Sequence, residues 1–206
     1  MNKIIAFTFF IGIIHIACKN NKAAGPDSVL NKKQGLEIDS SIKAVVLKGK
    51  KNDDPGKDFS FAKLDVKVYE NGKPVNRILF TGDNMPYYAM YLYAHDTLRI
   101  LFTHIMGASF GFAIEKYNGS CRVSHIFSHR EDTAGTYKLT GDPTYKSGLM
   151  VPCKYHVILN KRQYENNEPV YGYVEAVSED FLIKTDTGNI RSRTEFKGYF
   201  KTGRVR

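Results

Sequence analysis

The sequence has no tryptophan, and it has only three cysteines among its 206 residues, none of them paired in a CxxC motif. The absence of tryptophan argues against a carbohydrate-binding protein that relies on stacked indole rings. Without a CxxC pair, the spacing typical of redox centres and zinc sites is missing. Apolar residues nowhere follow a period of 3.6 residues over three helical turns. We therefore expect that the fold is not all-α and that the protein has no metal site and no cofactor.

A long apolar run begins the chain, where residues 4–14 follow the short basic start Met1-Asn2-Lys3. This run of about eleven residues is too short to cross a bilayer, which takes about 20. A charged start, an apolar run and a small residue such as Ala17 are the layout of a secretory signal. The alternative is a buried N-terminal helix of a cytosolic protein.

The segment His15-Ile16-Ala17-Cys18 resembles the lipobox of bacterial lipoproteins, a likeness that covers about the first nineteen residues. The resemblance implies that residues 1–17 are a removed signal peptide and that Cys18 becomes a lipid-modified N-terminus, with palmitate among its acyl chains. Several chains hold a protein on a membrane far better than one chain does. In this family an Asp after the cysteine keeps the protein on the inner membrane. Lys19 therefore implies the outer membrane, facing the periplasm.

The formal net charge of the chain is +9. In a cytosolic protein such a charge would indicate nucleic acid as a partner. Export removes that class of partner, so we expect no nucleic acid. Anionic envelope components, such as lipid head groups or cell-wall polymers, become the acidic neighbours. The alternative is a basic surface that only keeps the protein soluble.

Residues 18–35 are polar and rich in lysine, and we expect them to form a flexible, lipid-anchored tether. Residues 36–206 then form a single β domain, with a first strand within 36–47. Period-two alternation of apolar residues and turn signals such as Asn-Gly recur along this part at intervals of about 8–12 residues. The pattern predicts an all-β fold, an antiparallel β-sandwich or barrel-like meander of roughly ten strands.

The last predicted strand alternates basic and aromatic residues. Phe196 and Phe200 would face the core, and the opposite face is basic, with Arg191, Arg193, Lys197 and Lys201. A basic outer face on a terminal strand guards against pairing between sheet edges. The alternative is an anion-binding surface.

Two cysteines remain once Cys18 carries the lipid. Cys121 and Cys153 both lie on strand patterns, and an exported protein folds in an oxidising compartment. The sequence therefore predicts one disulfide between them, which would stabilise the fold by about 3.5–4 kcal/mol in the chain-entropy description. The alternative is two free thiols in the core.

A tyrosine cluster within residues 87–93 gives the candidate ligand-binding site. If positions 88, 90 and 92 face the core, the opposite face carries Tyr87, Tyr91 and Tyr93. Tyrosine offers a flat apolar ring with a polar tip, which suits the stacking of sugars or peptides. The alternative is a set of aromatic pairs that stiffen the sheet across strands.

Three short matches to catalytic or metal-binding patterns are explained better by strands and turns. The G-x-S-x-G motif around Ser109 requires a helix after the serine, but the following residues alternate as in a strand. The D-T-G triplet at 186–188 lies too close to the end for an aspartic protease fold and reads as a hairpin turn. His125 and His129 would lie about 13 Å apart on a strand, too far for one metal ion.

The sequence thus predicts a lipid-anchored envelope protein with a non-catalytic binding or structural role. The alternative is a hydrolase acting on an envelope polymer. The two differ in one structural feature, since an enzyme should show a concave pocket with convergent catalytic groups.

Overall fold

The computed structural model describes residues 34–48, 61–75, 88–94, 97–103, 109–128, 136–165 and 168–202. The predicted signal peptide, Cys18 and nearly all of the predicted tether lie outside the described residues. In the described part of the chain, no helix is long and apolar enough to span a membrane. The chain enters the fold through strand β1 (Gly35–Ile38) and helix α1 (Ile42–Lys48). Eleven strands follow: β2 (Phe61–Glu70), β3 (Lys73–Val75), β4 (Tyr88–Ala94), β5 (Thr97–Thr103), β6 (Ser109–Tyr117), β7 (Ser120–Ser128), β8 (Tyr137–Leu139), β9 (Gly148–Leu159), β10 (Tyr171–Ser178), β11 (Phe181–Thr185) and β12 (Gly188–Lys201).

The strands form one twelve-stranded sheet with the order β3-β2-β12-β10-β9-β7-β6-β5-β4, to which β1, β8 and β11 add at the sides. Every pairing between these strands is antiparallel except that of β1 with β9, which is parallel. The order ends on β3 and β4, so within the described residues the sheet does not close into a barrel. The predicted all-β, sandwich-like meander is confirmed.

The long strand β9 belongs to both halves of the sheet. Its first part pairs with β7, as far as Pro152, and its second part, from Cys153, pairs with β10. The two halves pack face to face through aromatic rings. The ring centroids of Phe112 and Phe196 are 3.7 Å apart, and those of Phe102 and Phe200 are 5.1 Å apart. All four rings are buried, so the core lies between the two halves.

The Asn-Gly pairs form hairpin turns, as the sequence predicts. Asn71 and Gly72 have φ values of 50° and 78°, and Asn118 and Gly119 have values of 45° and 81°. Positive φ at both central residues matches the twist of the flanking strands, and Asn and Gly tolerate it best. The D-T-G triplet is also part of a turn, between β11 and β12.

The predicted first strand within residues 36–47 is wrong beyond Ile38. Residues 42–48 are helical, and the backbone N–H of Ser41 donates to the Asp39 carboxylate at 2.8 Å just before the helix. Ile42 and Val46 are four residues apart and are buried against Tyr171. One helical turn brings these two side chains onto the same face, whereas a strand would also have aligned them with solvent-exposed Ala44.

Strand β12 alternates as predicted as far as Phe200, but Lys201 of the predicted basic face is buried, and β12 is not an edge strand. Phe196 and Phe200 are buried, and Lys197 is exposed on the opposite face. β12 pairs with β2 on one side and with β10 and β11 on the other. Its basic face therefore has no edge to guard, and that interpretation is wrong.

Candidate functional site

A cavity of about 640 Å³ opens at one end of the sandwich, where the β6–β7 turn meets β1 and the segment after β9. Its volume lies within the range of small-molecule sites, about 300–1,000 Å³. The lining combines apolar, amide and cationic side chains: Leu36, Ile38, Leu98, Lys116, Asn118, Gly119, Arg162, Gln163 and Tyr164.

The apolar wall of the cavity continues into the core. Leu98 is only 2% exposed and belongs to the main hydrophobic cluster, and Leu36 packs against the same cluster. Ile38 is more open and 39% exposed. The accessible apolar surface of the cavity is therefore supplied mainly by Leu36 and Ile38, and Leu98 joins it to the core.

Lys116 is the unusual residue of this cavity. It continues the inward-facing row of β6 after Phe112 and Ile114, which are both buried. Its cross-strand neighbours on that face are Leu98 and Cys121. Lys116 is half-buried, and it takes part in no ion pair between described residues. An unpaired cation thus faces the space between the two halves of the sheet.

Arg162 approaches the cavity from the segment that follows β9. The Tyr164 hydroxyl fixes this segment, because it donates to Asn160 Oδ1 at 3.0 Å and accepts from the Lys161 backbone N–H at 3.1 Å. Asn160 Oδ1 also accepts from the Tyr171 backbone N–H at 2.9 Å. Tyr164 is buried, and burial raises the pKa of its hydroxyl. The segment after β9 is therefore held in place by buried Tyr164, while Arg162 in the same segment is exposed.

The cavity favours binding of an anion. Lys116 and Arg162 supply positive charge, and the amides of Asn118 and Gln163 add hydrogen-bond donors. None of the lining residues, all of which the structure describes, is a carboxylate, serine, cysteine or histidine. Two cations without a neighbouring carboxylate in the lining leave a positive site that an anionic group can neutralise.

The predicted tyrosine site is only partly within the described residues. Tyr87 lies outside them, and Tyr91 and Tyr93 occupy β4, opposite Ile100 and Leu98 of β5. Ligand binding by these tyrosines stays a prediction.

The predicted disulfide is wrong: Cys121 and Cys153 are free thiols in the structure. The β7–β9 ladder ends at the pair of Ser124 with Pro152, and from His156 onward β1 lies beside β9. Cys121 and Cys153 therefore lie beyond the paired part of these two strands. The Tyr155 side chain reaches across this region, since its hydroxyl donates to the Cys121 carbonyl. A disulfide would need the two Cβ atoms about 3.5–4.5 Å apart.

Neither thiol is activated for chemistry. Burial raises the pKa of Cys121 to about 11 and that of Cys153 to about 12. Because the thiolate is the reactive form, both groups are poor nucleophiles at neutral pH.

The other catalytic candidates have structural surroundings. Ser109 begins strand β6, so a strand and not a helix follows it. His125 is buried among aromatic rings, with centroid distances of 4.6 Å to Phe112 and 4.0 Å to Phe127. His129 lies outside the described residues. Within the described ranges, no group of three His, Cys, Asp or Glu side chains could hold a metal ion.

The buried carboxylate of Glu115 lies on the outer face of β6, between arginines on the two neighbouring strands. Arg99 Nε donates to Glu115 at 2.5 Å, and Arg122 donates to its other oxygen. Burial would raise the pKa of Glu115, but the hydrogen bonds from Arg122 and Arg99 hold it below its ordinary value. The carboxylate is therefore charged and fully engaged in a cross-strand ion-pair network.

Comparisons of the chain with models of protein families, with curated proteins and with solved structures found no match. Sequence reasoning missed Lys116 and Arg162. A signal for Lys116 was present, since it follows Phe112 and Ile114 in period two, which places a cation in a core-facing row. No comparable signal marks Arg162, whose position depends on the folded segment after β9.

Proposed function

We propose that this protein is a lipid-anchored component of the bacterial cell envelope with a non-catalytic binding role, and that the cavity beside Lys116 is its binding site. The signal-like start and the Cys18 junction support the anchor. Lys19 after that cysteine supports a place on the outer membrane, facing the periplasm. The ligand is an anion of the envelope.

The half-buried, unpaired Lys116 carries the proposal of a binding site. Removing a charge from water costs free energy unless a partner of opposite sign offsets the loss. A lysine at a strand end can also extend its amine to solvent, and then no partner is needed. The adjoining cavity, a second cation at Arg162 and the absence of carboxylates from the lining favour an external anion as the partner.

The candidate catalytic groups support binding over hydrolysis of an envelope polymer. His125 is enclosed by aromatic rings, and Glu115 is occupied by two arginines on the outer face of the sheet. Neither residue lines the cavity. A hydrolase needs such groups to converge on one pocket.

The test is a fluorescence titration with the anionic probe 8-anilinonaphthalene-1-sulfonate. The protein is the chain from residue 19 onward, which contains every described residue and needs no detergent. Lys116→Met keeps the length of the side chain and removes its charge, so we expect the affinity for the probe to fall by up to about tenfold. Lys197→Met, on the exposed face of β12, makes the same change in net charge and should leave the affinity unaltered. Equal affinities in all three proteins would contradict the proposed site.

A further inference from the structure

We infer that the ligand of this cavity is a single-chain anionic amphiphile, with a carboxylate or phosphate ester as its head group and one alkyl chain. The inference rests on the proposed function and narrows the chemical class of its ligand. Two parts of the cavity carry it, a cationic end and an apolar wall.

The cationic end fits an oxyanion head group. Arg162 presents a planar guanidinium, whose parallel N–H donors match the two oxygens of a carboxylate or phosphate. Lys116 adds a compact charge at the inner side, and the amides of Asn118 and Gln163 add neutral donors. No carboxylate among the lining residues competes for these donors.

The apolar wall fits an alkyl chain. Leu98 is almost fully buried and joins the cavity to the main core, and Leu36 packs on the same cluster. A small inorganic anion would satisfy Lys116 but would leave this wall in contact with water. A purely apolar ligand would cover the wall but would leave Lys116 unpaired. Only a molecule with both parts satisfies both ends of the cavity.

The size of the cavity suits a ligand with one chain. A volume of about 640 Å³ greatly exceeds acetate or inorganic phosphate, and a two-chain phospholipid exceeds it in turn. Ile38, which is 39% exposed, extends the apolar wall toward solvent. A chain could therefore enter along β1 with its head group held at the β6–β7 turn.

The experiment is calorimetric titration of the chain from residue 19 onward with four probes of matched chemistry. Decanoate and decyl phosphate combine charge and chain, decanol has the chain alone, and acetate has the charge alone. We expect saturable binding of at least one of the first two, with decanol at least about tenfold weaker and acetate undetected. Affinity should rise about fourfold per CH₂ from hexanoate to octanoate to decanoate, because each CH₂ is buried.

Two variants connect this binding to the cavity. Lys116→Met should weaken the binding of decanoate while leaving that of decanol unchanged, and the remaining preference for decanoate is then due to Arg162. Arg162→Gln, at an exposed position where folding is not at risk, should weaken decanoate and decyl phosphate while leaving decanol unchanged. Thermal melts of both variants establish that they are folded.

The outcomes separate the two proposals. Tighter binding of decanoate than of decyl phosphate identifies a fatty-acid type of ligand, and the reverse order identifies a phosphorylated amphiphile; both support the inference. If acetate binds as tightly as decanoate, the ligand is not an amphiphile, but the proposed anion site is retained. The same holds if the sulfonate probe depends on Lys116 for binding and neither decanoate nor decyl phosphate displaces it. If decanol binds as tightly as decanoate, the inference is wrong. If Lys116→Met leaves the affinity for the sulfonate probe unchanged, both proposals are wrong.

Discussion

His125 is a titratable side chain that is buried among aromatic rings. It is 3% exposed, and its Nδ1 has no hydrogen-bond partner among the described residues. Burial lowers the pKa of His125 from 6.5 to about 3. Between these values the unfolded chain binds a proton that the folded protein does not. The stabilisation from neutral His125 is therefore complete above about pH 6.5 and is lost as the pH falls toward 3.

This residue predicts a steep acid sensitivity. The free energy of unfolding should fall by up to about 1.4 kcal/mol per pH unit below pH 6.5, measured by urea denaturation at several pH values. Glu115, whose pKa is lowered, adds a loss of the same sign in more acidic solution. His125→Phe retains a flat ring beside Phe112 and Phe127 and removes the proton site, so it should flatten the slope between pH 6.5 and 5. An unchanged slope in this variant would assign the titration to another group.

Gly172 of β10 is required by the packing of the core. A Cβ added there would lie 2.7 Å from the carbonyl oxygen of Ile158 and would press on the ring of buried Phe200. Gly172→Ala should therefore destabilise the protein by about 1–3 kcal/mol and lower Tm by about 2–12 °C. Gly148→Ala is the matched control, because its new Cβ would make only an ordinary 3.6 Å contact with Phe127. Equal melting temperatures for the two variants would contradict this account.

At the level of the elements, the sequence predicts strands and turns well because their signals are local. The Asn71-Gly72 and Asn118-Gly119 turns are confirmed. The helix at 42–48 was missed because seven residues span only about two turns, too few to show a helical period. Its stability depends on contact with Tyr171, which is distant in the sequence.

Strand register is the information that the sequence does not supply. Cys121 and Cys153 both pack against the core, as period-two strands predict, but the pattern cannot show which residue of β9 lies beside Cys121. The same limit applies to the cavity. Lys116 and Arg162 line the same cavity only because the end of β6 and the segment after β9 lie at the same edge of the sandwich.

The two free thiols predict a stability that does not respond to reductant. With both thiols free, dithiothreitol should leave Tm unchanged, and thiol labelling of denatured protein purified without reductant should modify Cys121 and Cys153. Labelling of the native protein should be slow, since burial raises the pKa of Cys121 to about 11 and that of Cys153 to about 12. A disulfide would show itself by blocked thiols and a Tm lowered by about 4–16 °C on reduction.

For the whole molecule, the β domain and the anchor are proposed to be independent parts. The described fold begins at residue 34, and α1 and β1 attach the chain to β9 and β10 close to the cavity. A lipid on Cys18 would hold Gln34, where the described fold begins, within about 55 Å of a membrane surface, the full reach of the 16 chain steps from Cys18 to Gln34. The binding site would then sample amphiphiles that leave the membrane.

The anchor itself is tested at Cys18. The small residue Ala17 before the cysteine and the apolar run before it predict that this thiol receives the diacylglyceryl group. In cells supplied with radioactive palmitate, the wild-type protein should carry label and Cys18→Ser should carry none. The variant should also leave the membrane fraction, because the several acyl chains supply the binding that a single chain cannot sustain. Cys121→Ser is the control, since a buried thiol of the β domain should accept no lipid. Equal label in wild type and Cys18→Ser would overturn the lipid anchor without affecting the cavity.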